Sequence, residues 1–121
     1  MKFSETHEWL KVEGDFGIVG ITQYAQNELK EIVAVQLPPV GKVLELGEEA
    51  AILESTKAAI DIYSPITGEV VAVNEELKKN PNLLNQTPET EGWLFKMRID
   101  DLDELDTLLD LEQYLQLVSV S

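Results

Sequence analysis

The stretch LESTKAAIDIY, residues 53–63, predicts a β-hairpin with a lysine at its tip. An apolar run over residues 50–53 precedes the polar residues 54–57, and strand-like character resumes over residues 60–63. Two such runs joined by a few polar residues are typical of a hairpin. This arrangement places the amine of Lys57 in solvent, where an acylating enzyme could recognise it on a tight turn. On this pattern alone, the alternative interpretation is a lysine that serves only as a solvated charge.

The remaining sequence predicts a mostly β fold. Strand character is found over residues 9–13, 16–21, 32–37, 43–46, 69–73 and 93–99. In the last of these, the period-2 pattern is the clearest in the chain: Trp93, Phe95, Met97 and Ile99 alternate with Leu94, Lys96 and Arg98. Residues 74–92 have no clear periodicity, which predicts a long loop that holds one helical turn.

Two regions predict helices. Thr22 is a suitable N-cap, and a short helix is expected over residues 23–30 because apolar residues recur at helical spacing at Ile21, Ala25, Leu29 and Ile32. Further helices are expected near the C-terminus, with apolar faces formed by Leu102, Leu105 and Leu109, and by Leu108, Leu111, Leu115 and Val118. Seven acidic residues between Asp100 and Glu112, with no basic residue among them, form the opposite, solvated face.

Length and charge limit the possible roles. A chain of 121 residues is suited to one domain, here residues 1–121. The chain has 23 acidic and 9 basic residues and a formal net charge of −14. Such a surface repels phosphate backbones and anionic lipid, so we expect neither nucleic acid nor membrane as a partner. Residues 1–5 resemble neither a signal peptide nor a transit peptide, and no apolar run is long enough to span a membrane. The expected location is therefore the cytoplasm.

The residues needed for common catalytic sites are missing from the sequence. The chain has no cysteine and one histidine, His7, which excludes a Cys–His nucleophile pair and a His/Cys zinc site. No phosphate-binding glycine motif or nucleophile elbow occurs, and the acidic run over residues 100–106 lacks the pattern of a calcium loop. We therefore expect no enzyme activity and no metal site.

The lysine hairpin resembles a known family motif. Residues 54–59 and 61–70 are similar to the lipoyl-lysine hairpin of the glycine cleavage system H-protein family. The likeness continues in family order and with near-family spacing at His7-Glu8-Trp9, Gly20-Ile21-Thr22 with Ala25-Gln26, Leu37-Pro38 with Gly41, and Gly92-Trp93-Leu94. The resemblance implies a lipoyl-domain-like barrel-sandwich of two related antiparallel sheets. A faint internal similarity between residues 17–22 and 68–74 fits this expectation.

The resemblance also implies a function and a site. It implies a non-catalytic carrier in which lipoate is joined by an amide bond to Lys57, with Glu54 and Ser55 of the motif beside the cofactor. In the family, the aminomethyl-loaded arm folds into a cleft, whose matching residues here are Thr6, Glu8 and Asp61. A carboxylate in such a cleft would hold the amine through a charge-assisted hydrogen bond. The alternative is that Glu8 and Asp61 are ordinary surface carboxylates.

The implied partners are glycine decarboxylase (the P protein), aminomethyltransferase (the T protein), dihydrolipoyl dehydrogenase (the L protein), and a lipoate ligase or lipoyl/octanoyl transferase. We expect a monomer. Two alternatives stay open at this point. One is a relay protein that passes lipoyl groups to other lipoyl-dependent complexes, and the other is an unmodified acidic interaction module that uses the face over residues 100–112.

Three residues depart from the family pattern. Lys30 stands where the family has glycine, Gln36 where it has an acid, and Tyr24 where many members have histidine. A lysine in place of a glycine just after a helix is expected either to be strained or to extend the helix. These changes leave the lysine motif intact and bear on the cleft and the docking face.

Overall fold

The computed structural model describes residues 1–119, which form two antiparallel β-sheets joined by short helices. The strands are β1 (Lys2–Phe3), β2 (Glu8–Glu13), β3 (Phe16–Ile21), β4 (Ile32–Gln36), β5 (Val43–Leu44), β6 (Glu49–Ser55), β7 (Ala59–Tyr63), β8 (Gly68–Val73) and β9 (Phe95–Ile99). The α-helices are α1 (Gln23–Leu29), α2 (Glu76–Lys79), α3 (Leu83–Gln86) and α4 (Leu111–Ser119), and a 3-10 helix covers Leu102–Thr107. The prediction of a mostly β fold with two antiparallel sheets is confirmed.

The larger sheet has the strand order β1-β2-β3-β9-β8-β5, and the smaller sheet has the order β4-β6-β7. Within residues 1–119, the two sheets do not close into a barrel. A hydrophobic core joins them: Val19, Val70 and Phe95 of the larger sheet cluster with Leu53 and Ile62 of the smaller one. Buried side chains alternate with more exposed ones along β6 and β9, as expected where one face of a sheet covers the core.

The two segments with internal sequence similarity lie on either side of one strand. β3 and β8 both pair with β9, and Phe95 is opposite Val19 on one side and Val73 on the other. The same holds for Lys96, which faces Ile18 and Ala72. The two similar segments therefore flank the same strand, but in different registers, because Gly17 is opposite Met97 and Gly68 is opposite Ile99.

The predicted helix over residues 23–30 is present as α1, and Thr22 caps it. The Ala25 N–H donates to Thr22 Oγ1 at 3.2 Å, and the side chains of Ala25 and Leu29 are buried in the core. The helix ends at Leu29, one residue earlier than predicted, and its C-cap is Lys30. The φ of 65° and ψ of −137° of Lys30 lie in a region that L-residues rarely occupy. Of the two outcomes expected for this lysine, the structure has the strained one.

Residues 74–92 differ from the prediction of a loop with one helical turn, because they contain two helices, α2 and α3. Each helix has four residues, which is too short for a helical period to show in the sequence. One leucine from each, Leu77 and Leu84, is fully buried in the main core. The strand predicted over residues 43–46 is also shorter than expected, because β5 contains only Val43–Leu44.

The strand predicted over residues 93–99 begins two residues later, at Phe95. The expected alternation holds for Phe95, Met97 and Ile99, which are buried. Leu94 was expected on the opposite face and is instead fully buried in the main core. Trp93 packs in a second apolar cluster, around Phe3, Trp9 and Tyr114. The predicted strand was too long because Trp93 and Leu94, the apolar residues directly before β9, pack in two different clusters instead of alternating across the sheet.

The C-terminal region contains helices, but the predicted apolar faces are only partly correct. Leu105, Leu108, Leu109 and Val118 pack against the two apolar clusters, and the other three predicted residues do not. Leu102, Leu111 and Leu115 are 58%, 55% and 53% exposed, whereas Tyr114 is only 4% exposed. α4 lies against β1 and turns Tyr114 inward, together with Leu117 and Val118, which are three and four residues further on. These spacings place the three side chains on one face of the helix. The contact with β1, rather than the number of leucines, decides which face is buried.

Candidate functional site

The hairpin between β6 and β7 ends in a turn that Ser55 holds together. Glu54 faces Ala59 as the last strand pair, and the Ser55 N–H donates to the Ala58 carbonyl oxygen at 2.7 Å. Ser55 Oγ accepts hydrogen bonds from the N–H groups of Lys57 (3.1 Å) and Ala58 (3.0 Å), and its hydroxyl donates to the Ala58 carbonyl oxygen. A serine hydroxyl that bonds backbone groups two and three residues ahead is a common way to order a short turn. Ser55 therefore shapes the turn.

Lys57 lies at the tip of this turn with an exposed side chain. It takes no part in the ion pairs found among residues 1–119. Glu54 is exposed on β6. The tip thus presents one primary amine to solvent on a hydrogen-bonded frame, which is the geometry that the sequence predicted for it.

A second group of predicted residues lies at the other end of β7. Glu8 is only 1% exposed, although it is a carboxylic acid. The hydroxyls of Ser4 (2.6 Å) and Thr6 both donate to Glu8 Oε1, and the Tyr63 N–H approaches Glu8 Oε2 at 3.4 Å. Burial raises the pKa of Glu8 above its ordinary value of 4.5, and these hydrogen bonds oppose the increase. Glu8 is therefore a buried carboxyl group and not a surface carboxylate.

Thr6 and Glu8 border a cleft of about 470 Å³. Its walls come from the N-terminal segment, the end of β7, the segment before β6, and the segment between the 3-10 helix and α4. The lining residues are Ser4, Glu5, Thr6, Glu8, Leu46, Gly47, Tyr63, Ser64, Pro65, Thr107, Leu108 and Leu109. The cleft thus combines an apolar wall with hydroxyl groups and one buried carboxyl group.

Asp61 lies outside this lining. It is exposed on β7, opposite Ile52, and it precedes the cleft residue Tyr63 by two positions. Since alternate residues of a strand share a face, Asp61 is on the Tyr63 side of β7, between the lysine turn and the cleft. The structure therefore groups Thr6 with Glu8 and places Asp61 along the approach to them.

The segment that carries Thr6 and Glu8 is held from the C-terminal helix. His7, which has a left-handed φ of 73°, contacts the Tyr114 hydroxyl through Nδ1 at 2.8 Å. The same hydroxyl is 2.7 Å from Thr22 Oγ1, and the Tyr114 ring stacks on Phe3 at 4.7 Å. Burial lowers the pKa of His7, with Glu28 opposing the decrease, and burial also raises the pKa of Tyr114. Tyr114 thus joins α4, α1 and the cleft segment.

Of the residues in these contacts, the sequence did not indicate the roles of Ser4, His7 or Tyr114. Ser4 is four residues before Glu8 in a short polar run, a spacing that allows a turn but does not predict a buried carboxyl group. Tyr114 is an aromatic residue among leucines, and nothing in that local pattern indicates its contacts with His7, Thr22 and Phe3.

The three departures from the family pattern have different surroundings. Tyr24 packs on the His7 ring with the centroids 4.7 Å apart, and it therefore lies close to the cleft segment. Gln36 is exposed at the end of β4, beside a smaller cavity of about 190 Å³. Lys30 is the residue with positive φ at the end of α1.

Residues 1–119 contain no cluster of metal-binding side chains and no helix suited to span a membrane. No group of three or more histidine, cysteine or acidic side chains in this part of the chain is arranged to hold a metal ion. None of its helices has both the length and the apolar character that a membrane span requires.

Comparison with known proteins identifies the family. A family model described as glycine cleavage H-protein matches residues 1–120. The chain is 52% identical over 112 residues to the glycine cleavage system H protein of Thermus thermophilus, covering 93% of this chain and 88% of that one. It is 50% identical over 113 residues to the H protein of Thermotoga maritima, covering 93% and 91%. The crystal structure of the H protein from Mycobacterium marinum superimposes with a TM-score of 0.90 at 31% identity, covering 98% of this chain and 95% of that one. The chain therefore belongs to the glycine cleavage system H-protein family.

Proposed function

We propose that this chain is a lipoyl carrier whose attachment site is Lys57, and that it shuttles an aminomethyl group in glycine cleavage. The observation that carries the proposal is the exposed Lys57 on the Ser55-ordered turn, in a chain that belongs to the H-protein family. We propose that the 121 residues act as one monomeric domain in the cytoplasm and serve as a carrier without catalytic activity.

The surroundings of Lys57 fit an amide-linked lipoyl group. The amine is exposed and is not used in the ion pairs among residues 1–119, so an acylating enzyme has nothing to displace. Amide formation removes the positive charge, which allows an apolar group to lie on the protein without desolvating an ammonium. When bound, lipoate would supply a dithiol that takes up and releases a one-carbon unit and two electrons.

The cleft would receive the cargo. Glu8 offers a buried carboxylate to an ammonium group, and the Ser4 and Thr6 hydroxyls hold that carboxylate in place. An ammonium at this position would compensate the buried negative charge and lower the pKa of Glu8. The apolar side chains of Leu46, Pro65 and Leu108 would cover the rest of the arm. Asp61, on the approach along β7, would attract the ammonium before it reaches Glu8.

The partners that follow from the proposal are the glycine decarboxylase, the aminomethyltransferase and the dihydrolipoyl dehydrogenase. A lipoate ligase or lipoyl/octanoyl transferase would load Lys57. The net charge of −14 supports partners with basic docking faces, since opposite charges steer association.

The first test is the mass of the protein produced in lipoate-fed cells that contain a lipoate ligase. We expect the wild-type mass to increase by one lipoyl group and the mass of Lys57→Arg to stay unchanged. A wild-type protein that is unmodified, while a control lipoyl domain in the same cells is modified, would reject the proposal. That result would favour an unmodified interaction module.

A lipoyl relay is the second candidate, because Tyr24, which stands where many family members have histidine, packs on His7 beside the cleft. Both functions need a lipoylated Lys57, but only the shuttle needs the cleft to hold an amine. Reconstitution with the three partner enzymes separates them: the shuttle predicts glycine-dependent carbon dioxide exchange that is lost in Lys57→Arg. Absence of exchange, together with transfer of lipoyl to the lipoyl domain of a dehydrogenase complex, would favour the relay.

A further inference from the structure

We propose that Asn85 is a positioning residue for the lysine turn, and this inference rests on the proposed lipoylation of Lys57. Asn85 lies on α3, away from the residues that line the cleft. Its side-chain amide contacts the segment between α1 and β4 at two points. Nδ2 donates to the Lys30 carbonyl oxygen, and Oδ1 accepts from the Ile32 N–H at 2.9 Å. One planar amide thus holds two backbone groups that are two residues apart.

The residue between these two points contacts the lysine turn. The Glu31 carbonyl oxygen accepts a hydrogen bond from the Thr56 N–H at 3.0 Å, and Thr56 directly precedes Lys57. Ile32 is also the strand partner of Ser55, the residue that orders the turn. The pairing of β4 with β6 becomes irregular immediately afterwards, between Ile32 and Ala34. The Glu31 carbonyl oxygen therefore links the turn to a segment outside the hairpin, and Asn85 bonds the backbone on both sides of Glu31.

The segment needs such a clamp because the backbone conformation of Lys30 is strained for a residue other than glycine. At φ 65° and ψ −137°, the Cβ of a lysine is crowded by the backbone, whereas a glycine is not. Release of this strain would change φ and ψ of Lys30, turn the Lys30–Glu31 peptide, and displace the following Glu31–Ile32 peptide, whose carbonyl oxygen accepts from the Thr56 N–H. The two hydrogen bonds of Asn85 oppose that rotation. We infer that the clamp allows a lysine to occupy this position while the turn stays ordered.

The test measures hydrogen exchange of the Thr56 amide in Asn85→Ala, with Asn82→Ala as the matched control. Asn82 is at the N-cap position of the same helix, is exposed, and makes no capping hydrogen bond with its side chain. We expect Thr56 to exchange at least about tenfold faster in Asn85→Ala, because that factor corresponds to the loss of about one net hydrogen bond. We expect no change in Asn82→Ala. The Leu94 amide, which donates to Val19 in the larger sheet, reports global opening and should stay protected in both variants.

A second variant separates a positioning role from general destabilisation. In Lys30→Gly/Asn85→Ala the strain is absent, so the segment no longer tends to rotate, and we expect Thr56 protection to return close to the wild-type level. If Asn85 only contributed to packing, replacement of Lys30 by glycine would not repair its loss. Conversely, Lys30→Gly alone should leave Thr56 as protected as in the wild-type protein.

The functional readout is lipoylation of the same variants by a purified lipoate ligase. A turn that is ordered for only part of the time lowers the concentration of recognisable substrate, which raises KM and leaves kcat unchanged. We expect KM for Asn85→Ala to rise about two- to fivefold and to recover in the double variant. A lower kcat with unchanged KM would overturn the proposal, as would an unchanged Thr56 exchange rate in Asn85→Ala. If the wild-type protein is not lipoylated at all, the proposed function fails, while the exchange rates still decide whether Asn85 orders the turn.

Discussion

The lysine turn and the cleft at opposite ends of β7 are built in different ways. Most of the hydrogen bonds that shape the turn come from Ser55 and join residues within three positions of each other. The cleft segment depends instead on Tyr114, which contacts His7 across more than 100 positions in the chain. The turn is exposed, and the carboxyl group of the cleft is buried. The attachment turn therefore relies mainly on local hydrogen bonds, with one backbone hydrogen bond to Glu31 from outside the hairpin, whereas a site that holds a charged cargo requires the packed fold.

The largest effect is expected for Lys57→Arg, which should abolish lipoylation without changing the stability of the protein. Lys57→Arg removes the amine that is to be acylated and keeps the charge, so we expect complete loss of lipoylation. Because Lys57 is exposed at a turn tip, the free energy of unfolding should change by less than about 0.5 kcal/mol. Mass spectrometry and urea unfolding measure the two quantities. A clearly destabilised variant would show that the lysine turn depends on the rest of the fold.

The next largest effect concerns Tyr114, which supports the cleft. Tyr114→Ala removes a buried ring stacked on Phe3, so we expect a loss of about 3 kcal/mol in unfolding free energy. Tyr114→Phe keeps the ring and loses only the contacts to His7 and Thr22, for about 1 kcal/mol. Lipoylation of Tyr114→Phe should equal that of the wild-type protein. Slower lipoylation of this variant would mean that the two ends of β7 are coupled.

Glu8 gives a test of the cleft that depends on pH. Burial raises the folded-state pKa of Glu8 above 4.5, so the folded protein binds this proton more tightly than the unfolded chain does. The wild-type protein should therefore lose stability relative to Glu8→Gln as pH rises from about 4.5 to the raised pKa, and the difference should be constant at higher pH. Urea unfolding of both proteins between pH 4 and pH 8 measures this difference. A difference that does not vary with pH would contradict a buried, titrating Glu8.

The smallest effect is expected at Ser55. Ser55→Ala removes the hydroxyl that bonds the Lys57 and Ala58 N–H groups, at a cost of about 1 kcal/mol because water can replace these exposed bonds. Ser55→Thr keeps the hydroxyl and is the control. Lipoylation should slow a few-fold in Ser55→Ala alone. Equal rates in both variants would show that the β6–β7 pairing, and not the hydroxyl, orders the turn.

The sequence predicted the elements whose signals are local. The strands β2 and β3, the Thr22 cap of α1 and the lysine hairpin all involve residues that are near each other in the chain. Strain at Lys30 was one of the two outcomes expected from the family's glycine at this position, and the structure has it. The helices α2 and α3 were missed because four residues hold too little of a helical period.

The leucine-rich C-terminal region shows why the remainder was not predictable. Hydrophobic spacing identified helical segments there, but three of the leucines are more than half exposed. The buried face of α4 is chosen by its contact with β1 and Phe3, which are more than 100 positions away in the sequence. The amino-acid composition of a helix does not show which distant segment of the chain the helix packs against.

The sequence by itself determined the mostly β class, the lysine hairpin and the exposure of Lys57, because spacing, turn residues and charge act over a few positions. Only the tertiary structure decided that Glu8 is buried, that Ser4 and Thr6 donate to it, and that Asp61 stays outside the cleft. It also decided that Tyr114 supports His7 and that Asn85 clamps the segment beside the turn. Burial and hydrogen-bond partners depend on which distant segments pack together, and a carboxylate or an amide has the same sequence signal on a surface as it has in a core.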